Sequence, residues 1–428
     1  VTCNDAKQLG DDLMPMFCGI DWAEGHHDVA IVDTDGVLRA KKRITEDVEG
    51  FTELLTLLAD LGDTDQEPIP VAIETSRGLL VAALRAGGHR PVFAINPMAV
   101  ARYRERHSVA RAKSDHADAM TLANILRVDA HVHRRLPADS ELAQSISVLA
   151  RAHQDAIWRR TRASNELRSV LREYYPAFLE SFAANTVTNL ATAEARAVLA
   201  IAPTPAAATK LTKTRIATAL KRAGRSRGIE QAAADIHAKL RQPRLRQLPL
   251  VEDAFGQQAL ALLAALNAAC ASAQTLGDAA AEAFRGHPDY AIITSFPGLA
   301  DSSGARVLAE IGDDRSRFVD ARGLKAYAGS APVTRASGRS TSVTYRRVKN
   351  DRLAAAGWIW AFNASTHCER AKVHYRRRRD HGDRHSAALR NLFNRLLGQL
   401  HYCLQHQQVF NQDRAFPMPI PVEQQVLA

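Results

Sequence analysis

The sequence predicts an α/β domain at the N-terminal end, a helical or coiled-coil middle and a mainly α C-terminal domain. Three observations predict this. Short apolar strands alternate with helical stretches up to about residue 135. Long helix-periodic runs rich in Arg, Glu, Ala and Leu fill the middle. A helix, a tight glycine turn and a second helix then open the last third. At 428 residues the chain is too long for one small domain. The expected domains are residues 15–138, 139–286 and 287–395, with a tail at 396–428.

In order, "MFCGIDWAEGHHDVAIVDTDGVLRAKKRI" reads as two strands joined by a turn, with "TDG" turning into a third strand. "VEGFTELLTLLADLG" has helical spacing and stops at Gly62. "IPVAIETS" is a short buried strand, "RGLLVAALRAGG" a helix and "HRPVFAINP" another strand. The stretch "LAQSISVLARAHQDAIWRRTRASNELRSVLREYYPAFLE" and the later "FGQQALALLAALNAACASAQTLGDAAAEAFRG" are long helices. They fit a coiled coil or antiparallel hairpin as well as ordinary helix packing. "YAIITSFPGLADSSGARVLAEIGD" supplies the helix–turn–helix, and "FPMPIPVEQQVLA" reads as a loose end.

Composition narrows the class. With 46% hydrophobic and 24% charged residues the chain is a folded protein and not a disordered one. Its 56 Lys and Arg against 46 acids give a charge of +10, which suits a polyanionic partner. The five cysteines, Cys3, Cys18, Cys270, Cys368 and Cys403, are scattered, with no zinc-knuckle or redox spacing. That usage points to a reducing compartment. No uninterrupted apolar stretch of about 18 residues and no basic-then-apolar leader is present, so no membrane partner is expected and the localisation is read as cytoplasmic and nucleoid-associated.

Four acids draw attention. Asp21 in "CGIDWA" and Glu74 at the end of "VAIE" each interrupt an apolar strand, where a charge has no structural reason to be. Asp115 and Asp118 in "KSDHADAM" lie one helical turn apart and share a face. Gathered together, four carboxylates would repel unless divalent cations compensated them, and hard oxygen donors suit Mg²⁺ or Mn²⁺. Singly, each has an ordinary explanation: a turn cap, a backbone acceptor, an N-cap or a first-turn acid.

The motifs "GIDWAEGHHDVAIVD", "AIETSRG", "AINPMAVARYRE" and "ARAKSDHADAMTLA" resemble, in order, those of the insertion sequence 110 family of transposases, which includes the Piv-type DNA invertase. The resemblance implies an RNase H-like, resolvase-related fold with an Asp-Glu-Asp-Asp metal site, which falls on Asp21, Glu74, Asp115 and Asp118. "FPGLADSSGARVLAEIGD", Phe318 and "LKAYAGSAPVTRASG" are similar to the family's C-terminal domain. Here the resemblance implies a serine nucleophile at Ser337, attacking a DNA phosphodiester and holding the strand as a phosphoserine ester with help from the acids and metal. Ser330, which stands where the family usually has Leu, is read as packing. The family further implies double-stranded DNA as substrate, a structured noncoding guide RNA, and a homo-oligomer, dimer or tetramer.

Between 335 and 395 there are fifteen Lys or Arg and four acids. Arg335, Arg339, Arg346, Arg347, Lys349 and the run Arg376, Arg377, Arg378 and Arg379 are the candidate nucleic-acid contacts, with Tyr345 or Tyr375 for stacking. Residues 210–246 hold eleven Lys or Arg against Glu230 and Asp235, a second candidate surface. His367, His374, His381 and His385 near Cys368 match no zinc spacing. Trp358 and Trp360 in "GWIWAF" read as core. The expected function is a transposase cutting and rejoining DNA through a serine-linked intermediate. A site-specific invertase, a resolvase-like nuclease and a non-catalytic nucleic-acid binder are the alternatives.

Overall fold

A computed structural model describes residues 14–86, 90–107, 115–184 and 187–417. The chain divides into two compact units, Val1–Ala138 and Asp139–Ala428.

The first unit is built on β1 (Phe17–Trp22), β2 (His26–Val32), β3 (Leu38–Thr45), β4 (Val71–Ile73) and β5 (Val92–Ala94), ordered β3-β2-β1-β4-β5. The first three strands run antiparallel to one another, whereas β4 runs parallel to β1 and β5 parallel to β4. Helices α1 (Val48–Ala59), α2 (Leu79–Ala86), α3 (Pro97–His107) and α4 (Asp115–Asp129) cover both faces. Strand alternation sorts the side chains. Cys18, Ile20, Val71 and Ile73 point into a core with Leu54 and Leu58 of α1 and Leu80, Val81 and Leu84 of α2. Ala72, on the opposite face, packs with Val100 of α3 and Leu122, Ile125 and Leu126 of α4. This is the mixed α/β, RNase H-like arrangement that the sequence implied. Asp47 starts α1 by accepting a hydrogen bond from the Gly50 amide at 2.7 Å.

The second unit begins with α5 (Glu141–Tyr174), capped by the Ser140 hydroxyl. Five shorter helices follow: α6 (Pro176–Ser181), α7 (Ala193–Ile201), α8 (Pro205–Thr209), α9 (Lys213–Arg222) and α10 (Ile229–Leu240). Two-residue strands β6 (Ala183–Ala184) and β7 (Val187–Thr188) lie between α6 and α7. The chain returns along α11 (Pro249–Arg285). Ile146 and Ala150 of α5 share a core with Ala280 and Phe284 of α11, whereas Leu167 and Leu171 share one with Ala259, Leu263 and Leu266. The two long helices are therefore an antiparallel pair, and α6 to α10 close over the Leu167 end. Small residues permit the close approach, as at Gly277, where a β-carbon would crowd the His153 ring. Among the described helices α11 alone is long and apolar enough to cross a membrane, with a mean hydropathy of 1.5 over its most apolar window.

The last part is mainly α, with α12 (Tyr290–Thr294), α13 (Asp301–Ile311), α14 (Ala321–Tyr327), α15 (Asp351–His367), α16 (Glu369–Asp380), α17 (His385–Gln405) and α18 (Gln412–Ala415). One exposed antiparallel hairpin, β8 (Val333–Ser337) and β9 (Ser340–Thr344), interrupts it. Residues from 396 onward do not form a tail at first: α17 continues to Gln405 and buries Leu396, Leu397, Leu400 and Leu404. An apolar face on every turn of that helix keeps it in the core. Residues 418–428, most of the expected loose end, lie outside the described residues.

Candidate active site

Asp21 lies on β1 two residues past Gly19, and Glu74 two residues past Ala72, just beyond the end of β4. The β1–β4 register pairs Gly19 with Ala72 and Ile20 with Ile73. Asp21 and Glu74 are thus the next pair along the two parallel strands, on the face that α4 covers. Helix α4 comes down directly over Gly19, where any β-carbon would overlap the Ala119 carbonyl oxygen and the Ala123 amide nitrogen. Asp115 and Asp118 belong to the turn of α4 just before Ala119. All four predicted acids therefore belong to one end of one sheet face and the helix start above it. The Asp115 side chain lies outside what the structure describes.

Asp118 is 4% exposed and forms an ion pair with Arg104 of α3. A buried carboxylate needs such a partner, since desolvation without one is costly. The structure adds an acid that the sequence reading passed over. Asp28 stands directly opposite Asp21 in the β1–β2 register and is 2% exposed. Arg43 donates to it through Nε at 3.2 Å and Nη2 at 2.7 Å, and His116 Nδ1 lies 3.1 Å from Asp28 Oδ1. His116 is on α4 between Asp115 and Asp118, so Asp28 ties the sheet to the start of that helix. The signal was available: Asp28 interrupts "HHDVAIV" as Asp21 interrupts "FCGIDW", and only the hairpin register makes the two neighbours.

Among the described residues no three His, Cys, Asp or Glu side chains stand close enough together to hold a metal ion. The donor chemistry nevertheless suits a divalent cation: every acid at this edge offers hard oxygen ligands, and RNase H-like domains of this type generally use such ions. Release of Asp118 from Arg104 is the rearrangement that coordination by Asp118 would require.

The remaining predicted residues lie in the second unit. Ser337 ends β8, exposed and paired with Ser340 across a turn whose Gly338 has φ +55°. Arg335 and Arg339 share that exposed hairpin. Ser330 is 3% exposed and fully engaged, its hydroxyl lying 3.2 Å from both the Lys325 carbonyl oxygen and Asn394 Nδ2, which is the packing role expected. The four-arginine run is not four free cations, because Arg378 pairs with Asp383 at 2.6 Å and Arg379 donates to the Asp383 carbonyl. Lys349 is bound to Asp351 at 2.8 Å. In the 210–246 surface Arg225, Arg244 and Arg246 pair with Glu194, Glu180 and Glu252. His374 bonds Asn391 and His385 bonds Tyr375. Trp360 is core, its Nε1 donating to the Pro297 carbonyl at 3.0 Å, but the expectation for Trp358 is corrected: it is 41% exposed. A helix of period 3.6 turns residues two apart to different faces, so both cannot face one core.

Fold and acids define a protein with a nuclease-type, RNase H-like domain joined to a helical unit. A family model of transposases of the DEDD, IS110 type matches residues 18–176, and one described as transposase IS116/IS110/IS902 family matches residues 290–376. Over 408 residues the chain is 60% identical to the mini-circle putative transposase for IS117 of Streptomyces coelicolor, covering 95% of this chain and 98% of the relative. It is 27% identical to the insertion element IS900 42 kDa protein of Mycobacterium paratuberculosis, over 93% and 97% of the two chains. It is 28% identical to the insertion element IS116 44.8 kDa protein of Streptomyces clavuligerus, over 92% and 96%. The chain belongs to the IS110 family of transposases.

It is accordingly an enzyme of DNA recombination, and its substrate is double-stranded DNA. The serine-linked route expected from the sequence is corrected: the family model covering the N-terminal domain is of the aspartate-based DEDD type, and not of a serine recombinase.

Proposed function

We propose that the chain cuts and rejoins the DNA of a mobile element at the sheet edge formed by Asp21, Glu74, Asp115 and Asp118. The observation that carries this reading is the placement of Asp21 and Glu74 as successors of Gly19 and Ala72, directly ahead of the α4 turn bearing the other two acids. These four residues would hold Mg²⁺ or Mn²⁺. When bound, such an ion stabilises charge on phosphate oxygens and lowers the pKa of an attacking water or hydroxyl. The protein's own part is positional. Asp28, held by Arg43, fixes His116 and so the start of α4, while Arg104 balances the buried charge of Asp118.

The exposed hairpin, with Arg335, Ser337 and Arg339, and the arginines of α16 would contact the DNA backbone, positioning it without reading bases. Arg346, Arg347 and Lys349 continue that surface. We read the active assembly as a dimer or tetramer with a structured noncoding RNA as guide, working in the cytoplasm on the nucleoid. The domain limits 15–138 and 139–286 are kept as the working division, with the last domain starting at 287 and extended past 395 to take in all of α17.

The test is a strand-cleavage and strand-transfer assay on element-end DNA with the purified chain, the element's noncoding RNA and Mg²⁺. Asp118→Asn and Glu74→Gln should each lower the rate by about 100-fold or more, and chelation should abolish it. Unchanged turnover in both variants would sink the assignment.

A further inference from the structure

Beside the exposed hairpin, the C-terminal helices enclose a pocket of about 180 Å³ that the acid chemistry does not use. Its floor is apolar, made by Leu389 and Phe393 of α17, which are 0% and 4% exposed. One wall is Trp358 of α15. That ring is held edge-on by His385, with centroids 5.7 Å apart and planes at 89°, and His385 is itself fixed by the Tyr375 hydroxyl at 2.7 Å. Arg346 and Arg390 stand among the lining residues, and none of these is an acid. Neither arginine has an acidic partner among the described residues, and the buried Arg346 Nε has no hydrogen-bond acceptor. Two guanidinium groups with no carboxylate beside them suit an anionic oxygen.

The pocket opens into a groove of about 640 Å³ that shares Tyr345, Arg346 and Arg390 with it and adds Arg335 and Arg347 from the hairpin and the segment after it. A cationic track leading to an aromatic, apolar socket matches the chemistry of one nucleotide: phosphate oxygens on the arginines and a planar base against Trp358. A volume of about 180 Å³ suits a single ring system. Within a duplex both faces of a base are covered by its neighbours, so a base reaches such a socket only when turned out of the stack.

We propose that this pocket receives one unpaired nucleotide of a DNA strand lying in the hairpin groove. The proposal rests on the DNA recombinase reading above. The substrate deformation it describes is separate from the chemistry at the acids.

The test is fluorescence-anisotropy titration of the full chain with a paired duplex, the same duplex carrying one unpaired thymine, and the same duplex with an abasic site in place of that thymine. The thymine bulge should bind roughly tenfold tighter than paired DNA, since its unstacking is already paid, and the abasic bulge should lose that advantage. Trp358→Ala should erase that roughly tenfold preference, a loss within the range of about 5- to 150-fold that one stacked base is worth, while paired DNA binds as before. Trp358→Phe should keep it. Ser386→Trp, which fills the pocket from an exposed position, should erase it without touching the aromatic wall. Equal binding of the three duplexes by the unaltered chain would overturn the pocket and leave the recombinase reading intact. Absence of binding to any of them would overturn both. A preference found with bulged RNA duplexes and not with bulged DNA would overturn the assignment to DNA.

Discussion

Gly19 lies directly beneath Ala119, so close that the strand and the helix touch backbone to backbone. That contact sets the height of α4 above the sheet, and with it the position of Asp118 relative to Asp21. Gly19→Val should therefore lift the helix start, costing about 1–3 kcal/mol of stability in the first unit and abolishing DNA cleavage. Urea unfolding and the cleavage assay read the two effects, and a variant that keeps both would show that α4 tolerates a side chain there.

Asp28 is expected to behave as a positioning residue. Asp28→Ala leaves Arg43 and His116 without their shared acceptor, and removing one partner of a buried pair costs about 3 kcal/mol. Cleavage should fall together with stability, whereas Asp28→Glu should recover part of each. Comparing unfolding midpoints with cleavage rates across the three proteins checks this.

In the second unit Glu310 is 3% exposed and accepts from Arg151 at 2.7 and 2.9 Å and from Asn350 at 2.6 Å. It joins α5, α13 and the cap of α15 in one network. Glu310→Ala should destabilise this unit by about 3 kcal/mol, with little effect on the first. Domain-resolved hydrogen exchange would separate the two.

Burial pushes the Cys18 thiol up to about 12, although Arg90 works in the opposite direction. Its thiolate is therefore scarce at neutral pH. Cys18 should resist maleimide labelling in the folded chain and react once the sheet unfolds, while the half-buried Cys270 reacts earlier. Mass spectrometry of labelled peptides along a urea series would show the order.

His27 is 0% exposed, with both ring nitrogens lacking a hydrogen-bond partner, and burial holds its pKa below the usual value of 6.5. His153, in the seam between α5 and α11, is shifted the same way, first by burial and then by Arg306 and Arg160. The unfolded chain takes up these protons near pH 6.5 and the folded chain resists them. Stability from this source is complete above that pH and is lost as pH falls towards the folded values. Unfolding midpoints should drop between pH 7.5 and 5.5, and His153→Gln should flatten the drop for the second unit.

Much of this protein was legible in the strand and helix periods. The apolar runs in "FCGIDW" and "HHDVAIV" already implied two strands joined by a turn, and the charge interrupting the first marked Asp21. The long period of α5 and α11 gave two helices but left their pairing open, since a Leu- and Ala-rich stripe packs on many partners. The family motifs supplied a serine route that the DEDD identity corrects, and "RRRR" looked like four free cations until Asp383 was seen to take two of them.

The α/β character of the first domain, the acids at its strand ends and the family follow from the amino-acid order. Local order does this, because short apolar runs punctuated by turn residues need only nearest neighbours to be read as buried strands. That Asp28 faces Asp21, that Arg104 holds Asp118, and that Trp358 walls a pocket while Trp360 fills the core emerge only from the folded chain. Those outcomes depend on register and on which helix face meets which neighbour, relations between residues far apart in the chain that no local pattern encodes.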